Sequence, residues 1–130
     1  MAHPNEILIR EAYTAFQSGD LDAVQRQWTD DIRWHTPGRG PLSGEYEGFP
    51  QVLQFFGQLF ELSGGTFRFN LHDVLANDEH AVALLTIYAE RPGKPPLKDN
   101  MTQIFHIRDG KISEVWGQQT DLHAVEEFWA

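Results

Sequence analysis

Asp99-Asn100-Met101-Thr102-Gln103-Ile104-Phe105-His106-Ile107-Arg108-Asp109-Gly110-Lys111-Ile112-Ser113-Glu114-Val115-Trp116-Gly117-Gln118 is the stretch that decides the fold. From about Asp99 to Arg108 it puts Met101, Gln103, Phe105 and Ile107 on one face, the period-2 signature of a strand. Asp109-Gly110 is a strong hairpin signal, because a two-residue turn needs residues that tolerate positive φ. A last strand, Lys111 to Gln118, follows. Upstream, Pro92 to Pro96 is a turn-rich loop. A strand from about His80 to Glu90 is nearly continuous in apolar residues, which predicts cover on both its faces. Asn77-Asp78 reads as a hairpin turn. Before it, a strand from about Thr66 to Leu75 puts Phe67, Phe69 and Leu71 on one face.

The first half reads as helices. From about Pro4 to Gln17, Ile9, Ala12, Tyr13 and Phe16 share a helical face, with Pro4 in the first turn and Gly19 placed to end the helix. Asp20 reads as the N-cap of a second helix with Leu21, Val24 and Trp28 as its apolar stripe. Asp30-Asp31 marks a turn, and Ile32 to Thr36 a short strand halted by Pro37-Gly38. Gly38 to Gly48 is a loop, expected as a mobile lip. From about Gly48 to Leu62, Phe49, Val52, Leu53, Phe56, Leu59 and Phe60 form the strongest helical stripe of the chain, ended by Gly64-Gly65. Asp121 can cap a short C-terminal helix that ends near Phe128-Trp129. Helices followed by strands are an α+β order, not alternating βα units. The expected fold is a strongly curved, cone-shaped mixed sheet of four to six strands. Three helices of the N-terminal half pack over its concave face, with residues 1–130 as a single domain.

Composition narrows the function. The chain has 130 residues, 41% of them hydrophobic and 12% aromatic, enough for a real core without staples. Ten Lys+Arg against 19 Asp+Glu leave a net charge of −9, which repels phosphate backbones and anionic membranes. No nucleic-acid or membrane partner is therefore expected. The absence of cysteine excludes disulfides, thiolate nucleophiles and Cys-ligated metals. No apolar run approaches the roughly 20 residues of a membrane span. Met1-Ala2-His3-Pro4-Asn5 does not read as a signal peptide, so a cytoplasmic location is expected.

Several short motifs in this order resemble the nuclear-transport-factor-2-like superfamily, within it the SnoaL-like and ketosteroid-isomerase-like branch. They are Gly19-Asp20-Leu21-Asp22, Trp28-Thr29-Asp30-Asp31, Pro37-Gly38, Gly44, Gly48 and the hairpin Arg108 to Trp116. The resemblance implies a hydrophobic small molecule held in the cone and acted on by acid-base side chains, without metal or organic cofactor. It also implies a homodimer through the outer sheet face, with Arg68, Asn70 and His72 as candidate interface residues. The family's catalytic positions depart. Ketosteroid isomerases carry a base Asp before the Pro that ends the first strand, where this chain has Thr36. Their oxyanion-hole Tyr aligns with Ala12, with Tyr13 next to it on a neighbouring face, and their protonated Asp aligns with Gln103. An amide at Gln103 can still donate to an oxyanion. SnoaL-like cyclases place an acid-base Asp a few residues after the Trp of the last strand, and Asp121 lies five residues after Trp116.

Asp121 is thus either a base, if desolvation raises its pKa, or simply a helix cap. His35 suits proton transfer near neutral pH, but if Trp34 and Thr36 point inward it points outward. Trp34, Tyr88, Gln103, Phe105, Trp116, Gln118, Tyr13 and Phe56 are the candidate substrate-binding residues, offering stacking and a few orienting hydrogen bonds, or else ordinary core packing. Arg39 is a candidate oxyanion or carboxylate contact. Six histidines without a close, face-matched pair give no metal-site signature. The expected function is a cofactor-independent isomerase, cyclase or dehydratase acting on a hydrophobic cyclic or carbonyl compound. The alternatives are a non-catalytic binding or dimerisation module, and an epoxide hydrolase, for which no inward Asp-Arg-Asp set is visible.

Overall fold

The computed structural model describes residues 2–130. Along the chain it forms α1 (Pro4–Ser18), α2 (Leu21–Gln27), β1 (Trp28–Thr36), β2 (Gly44–Glu47), α3 (Phe49–Leu62), β3 (Arg68–Ala76), β4 (His80–Ala89), β5 (Leu97–Arg108), β6 (Lys111–Gln119) and α4 (Leu122–Trp129). The six strands make one unclosed sheet ordered β2-β1-β6-β5-β4-β3. Only β1 and β6 run parallel, so the sheet is mixed. Register shifts interrupt β1 after Trp28, β3 after Leu71 and the β5–β6 pair at His106. Each bulge bends its strand and adds twist, which curls the sheet into a cone. On the concave side α1 packs on β3 and β4, and α3 on β1 and β2. α2 meets β1 and β6, and α4 closes over β5 and β6. Ile9, Val24, Ile32, Val52, Ile112 and Val115 are at most 2% exposed and form the tightest part of the core.

Local chemistry sets the helices as the sequence suggests. Pro4 opens α1, and Gly19, at φ 73°, ends it in the left-handed conformation that glycine adopts without Cβ strain. Asp20 accepts from the Ala23 N–H and caps α2, and Asp121 accepts from the Ala124 N–H and caps α4. Asn5 is buried, and its amide donates to the Asn77 and Asp78 carbonyls at 2.9 and 3.0 Å. That ties the start of α1 to the β3–β4 turn and fixes how α1 lies across the sheet.

Four details differ from the sequence expectation. Trp28 is not part of the α2 stripe. Its backbone is extended, and it opens β1 opposite Ile112. Asp30 and Asp31 are not a turn. They are exposed residues on the bulged part of β1, and Asp31 takes a hydrogen bond from Arg108 at 2.7 Å. The Gly38–Gly48 loop contains strand β2, which pairs with β1 and sets Glu45 and Glu47 beside Arg33. β4 buries only one face fully. Ala81, Ala83, Leu85, Ile87 and Ala89 are covered, and the residues between them stay half exposed on the outer side.

Ile9 anchors α1 in the core one turn before Tyr13. Ile9→Ala should cost about 3 kcal/mol from lost burial and the cavity left behind, read as a lower denaturant midpoint with an unchanged slope.

Candidate functional site

The cone is hollow, with a cavity of about 130 Å³ between the inner sheet face and helices α1, α3 and α4. A buried water needs roughly 10–15 Å³ on this kind of measure, so the space holds a small organic molecule, not one or two waters. Its walls are mostly apolar, with ten Phe, Trp and Tyr side chains among them. Trp28 and Trp34 stack at 5.9 Å, with Phe56 edge-on to both at 5.8 and 5.1 Å. Tyr13 stands edge-on to Phe69 and Phe105 at 5.1 and 6.3 Å.

Small residues make the space. Gln103 on β5 faces inward and is 7% exposed, and its cross-strand neighbours are Ala83 on β4 and Gly117 on β6. A Cβ on Gly117 would stand 2.8 Å from Met101 Cε and 3.6 Å from Pro37 Cδ, so the methionine lies across bare backbone. Larger side chains at 83 and 117 would fill the room around the Gln103 amide.

One polar contact spans this apolar interior. The Tyr13 hydroxyl on α1 donates to Gln103 Oε1 on β5. The amide nitrogen of Gln103 makes no hydrogen bond among the described residues. Burial pushes the Tyr13 phenol well above its ordinary pKa of 10.0, because the phenolate would be desolvated. The Tyr13 O–H is spent on Gln103 Oε1 and holds the amide in place, so the pair presents one free neutral donor, the Gln103 amide N–H, to any carbonyl oxygen that enters. The helix register places Tyr13 itself in the wall, not on the neighbouring face expected from alignment with Ala12, which also reaches the cavity.

The structure brings Tyr13, Trp34, Phe56, Gln103 and Phe105 together around the cavity, and separates them from the other sequence candidates. Trp116 and Gln118 lie on the outer sheet face. Without a bulge, a hairpin closed at Asp109-Gly110 sets Trp116 opposite Gln103. The extra residue Ser113 shifts the register by one, pairs Gln103 with Gly117, and turns Gly117 and Gln119 inward instead. Tyr88 is also outside the cavity wall, with the Arg68 guanidinium 5.0 Å from its ring centre. Asp121 is outside it too: its carboxylate caps α4, and its N–H donates to Asp99 Oδ1 at 3.2 Å.

His35 borders the mouth through β1, but its ring stacks on Trp116 at 5.1 Å, nearly parallel, and Nε2 meets Glu114 Oε2 at 2.6 Å. That imidazole belongs to the outer face, as strand alternation from Trp34 and Thr36 implies. Arg39 is exposed and outside the wall, and Arg68, Asn70 and His72 are exposed on β3. The lip is held by Ser43. Its hydroxyl donates to the Pro37 carbonyl at 2.8 Å and accepts from the Gly40 N–H at 2.9 Å.

Sequence reasoning missed Gln119, Met101 and Glu126 as wall residues. Gln119 needed the bulge to be known. Glu126 needed the inward face of α4, which Leu122, Val125 and Trp129 mark at i, i+3 and i+7 with Glu126 at i+4.

Comparison with known proteins follows the same lines. Residues 9–115 match the family model of the SnoaL-like domain. An uncharacterized protein of Mycobacterium tuberculosis is 30% identical over 124 residues, covering 95% of this chain and 94% of its own. The structure of Bal32a, from a soil-derived mobile gene cassette, superposes with a TM-score of 0.92 at 31% identity, over 98% of this chain and 97% of that one. A Xanthomonas campestris protein of unknown function with a cystatin-like fold gives 0.87 at 29% identity, over 95% of each chain.

The raised Tyr13 pKa has a stability consequence. Below the ordinary phenol value both folded and unfolded chains keep the proton, and the group contributes no pH dependence. Above it the unfolded chain releases the proton first, so stability falls as pH rises. Denaturant melts between about pH 9 and 11 should show this alkaline loss, and Tyr13→Phe should reduce it.

Proposed function

The chain belongs to the SnoaL-like domain family, in the nuclear-transport-factor-2-like superfamily, and on that premise we propose that its cavity binds a flat hydrophobic cyclic ketone and promotes proton transfer beside the carbonyl. The reaction class is isomerisation, cyclisation or dehydration, carried out without a cofactor. The observation that carries this reading is the Tyr13–Gln103 pair, which sets a neutral amide N–H donor in a cavity with mostly apolar walls. The rings of Trp28, Trp34 and Phe56 supply the faces on which a flat ligand stacks.

The ligand's carbonyl oxygen takes a hydrogen bond from the Gln103 amide nitrogen, and the Tyr13 hydroxyl, donating to Gln103 Oε1, orients and polarises that amide. When the C–H bond beside the carbonyl breaks, its proton passes to water entering at the lip, and the electron pair moves onto that oxygen. A donor already aimed at the oxygen, in a site with mostly apolar walls, stabilises the charge as it develops. Tyr13 stays protonated because its phenolate is disfavoured by burial, which keeps it a donor. A homodimer through the outer sheet face belongs to the same reading, since Trp116, Tyr88 and Ile104 remain half exposed there.

A second reading is a binding module without turnover. It is favoured by Thr36, which lines the cavity where ketosteroid isomerases carry their base. One experiment separates the two. Binding of 1-tetralone should quench the cavity tryptophans, and Tyr13→Phe and Gln103→Leu should each weaken it about tenfold, the worth of one buried hydrogen bond. In deuterium oxide, turnover predicts faster exchange of the tetralone α-protons with wild-type protein, lost in Tyr13→Phe. Tight binding with no acceleration of exchange would establish the binding module.

A further inference from the structure

Glu126 lies on α4 in the cavity wall and is half buried. The other acidic side chains of the described residues that are at least half buried are Glu6, Asp99 and Glu114, and each has a partner. Glu6 meets Arg10 at 3.2 Å, Asp99 takes the Thr120 hydroxyl at 2.5 Å, and Glu114 meets His35 at 2.6 Å. Glu126 makes no hydrogen bond or ion pair among the described residues, so its carboxylate meets the cavity and solvent and no protein donor.

The carboxylate is also held in place. A Cβ on Gly38, whose φ is +91°, would stand 2.5 Å from Glu126 Oε1, and one on Gly40 would stand 3.3 Å from its Cγ. Two glycines thus let the lip backbone lie directly along this side chain. A second acceptor shares the wall. Gln119 Oε1 is buried without a partner, while its amide nitrogen points to Met101 Sδ at 3.7 Å. Gln103 offers a free donor midway along β5. Gln119 sits opposite Met101, two residues and about 7 Å along β5 from Gln103, and Glu126 lies on α4 in the same wall, so both unmet acceptors are displaced from that donor.

We propose that Glu126, supported by Gln119, is the second polar anchor of the cavity. It selects ligands that carry a hydroxyl or amine across the ring system from the carbonyl, and it rejects carboxylates. The proposal rests on the ketone-binding reading above and adds the chemistry of the ligand's other end. A hydroxyl donates to the carboxylate, satisfying a charge that the protein leaves unpaired, whereas a ligand carboxylate meets like charge in a poorly solvated lip.

The probes are 1-tetralone, 6-hydroxy-1-tetralone and 6-carboxy-1-tetralone, titrated by tryptophan fluorescence. Wild-type protein should bind the hydroxyl compound about tenfold more tightly than the parent and the carboxylate at least tenfold more weakly. Glu126→Ala should erase the hydroxyl advantage, read as the ratio of the 1-tetralone and 6-hydroxy-1-tetralone dissociation constants, in which any general change of the wall cancels. Glu126→Gln, which keeps the packing on Gly38 and Gly40, should restore carboxylate binding toward that of the parent. If 1-tetralone binds in a Tyr13-dependent way but the preferences survive both Glu126 substitutions, the anchor assignment is overturned while the ketone reading stands. If none of the three ketones binds, the reading falls and the anchor falls with it.

Discussion

The hydrogen bond from the Ser113 hydroxyl to the His106 carbonyl, 3.2 Å long, marks the point where β6 carries one residue more than β5. Side chains on a strand alternate between faces, so this single insertion exchanges every inward and outward position beyond it. The two bulky and polar residues Trp116 and Gln118 go outside, and Gly117 comes inside beside Gln103. The cavity depends on that exchange. With Trp116 facing inward, an indole would lie next to the Gln103 amide in the space now crossed by Met101. The same bulge builds the outer face, where Trp116 becomes the flat surface on which His35 stacks and against which His106 sets its edge at 4.7 Å.

Hollowness alone would give a greasy pocket, and the polar contact across it comes from elsewhere in the chain. Tyr13 reaches Gln103 because α1 crosses the sheet at a fixed place, pinned at one end by Asn5 on the β3–β4 turn and in the middle by Ile9 in the core. Edge-on packing between Phe69 and Phe105 limits how the phenol ring can turn. A neutral pair suits such a place. An ionised group here would lose hydration that nothing in the aromatic wall replaces, whereas phenol and amide need only one hydrogen bond each to be tolerated.

Much of this was legible in the sequence, and the illegible parts share a cause. Helix periodicity, the Asp20 and Asp121 caps, the Asp109-Gly110 turn and the motif order led to the α+β cone, because each is a local signal. Asp109 at φ 53° and Gly110 at φ 74° adopt the positive angles that the turn demands. Bulges have no such local mark. Ser113 is unremarkable in composition, so Trp116 and Gln118 were read on the wrong face, while Trp34, Gln103 and Phe105 lie in strand segments whose alternation held. Trp28 and strand β2 went unrecognised for a related reason. Trp28 continues a helical stripe in sequence, and the four residues of β2 are mostly polar and exposed, with only cross-strand pairing to define them. Tyr88 fails differently: β4 alternates regularly, and its apolar outer face hides the alternation.

The carboxylates around the cavity show how the site divides structure from recognition. Asp99, deeply buried, accepts from the Thr120 hydroxyl and the Asp121 N–H and so fixes the β6–α4 turn. Asp121 spends its own carboxylate on the Ala124 N–H. Glu114 is committed to His35 on the far side of the sheet. Each of these satisfies a donor that folding would otherwise leave unmet, and a carboxylate so engaged is less free to meet a ligand. Thr36 brings strand β1 to the cavity as a hydroxyl and not as a carboxylate. What reaches the interior includes the Gln103 amide held by Tyr13, the unmet Gln119 oxygen and the unpaired Glu126 carboxylate from α4. A ligand of the proposed kind would turn its acceptor toward Gln103 and its donor toward Glu126, with a flat apolar body against the aromatic side chains of the wall.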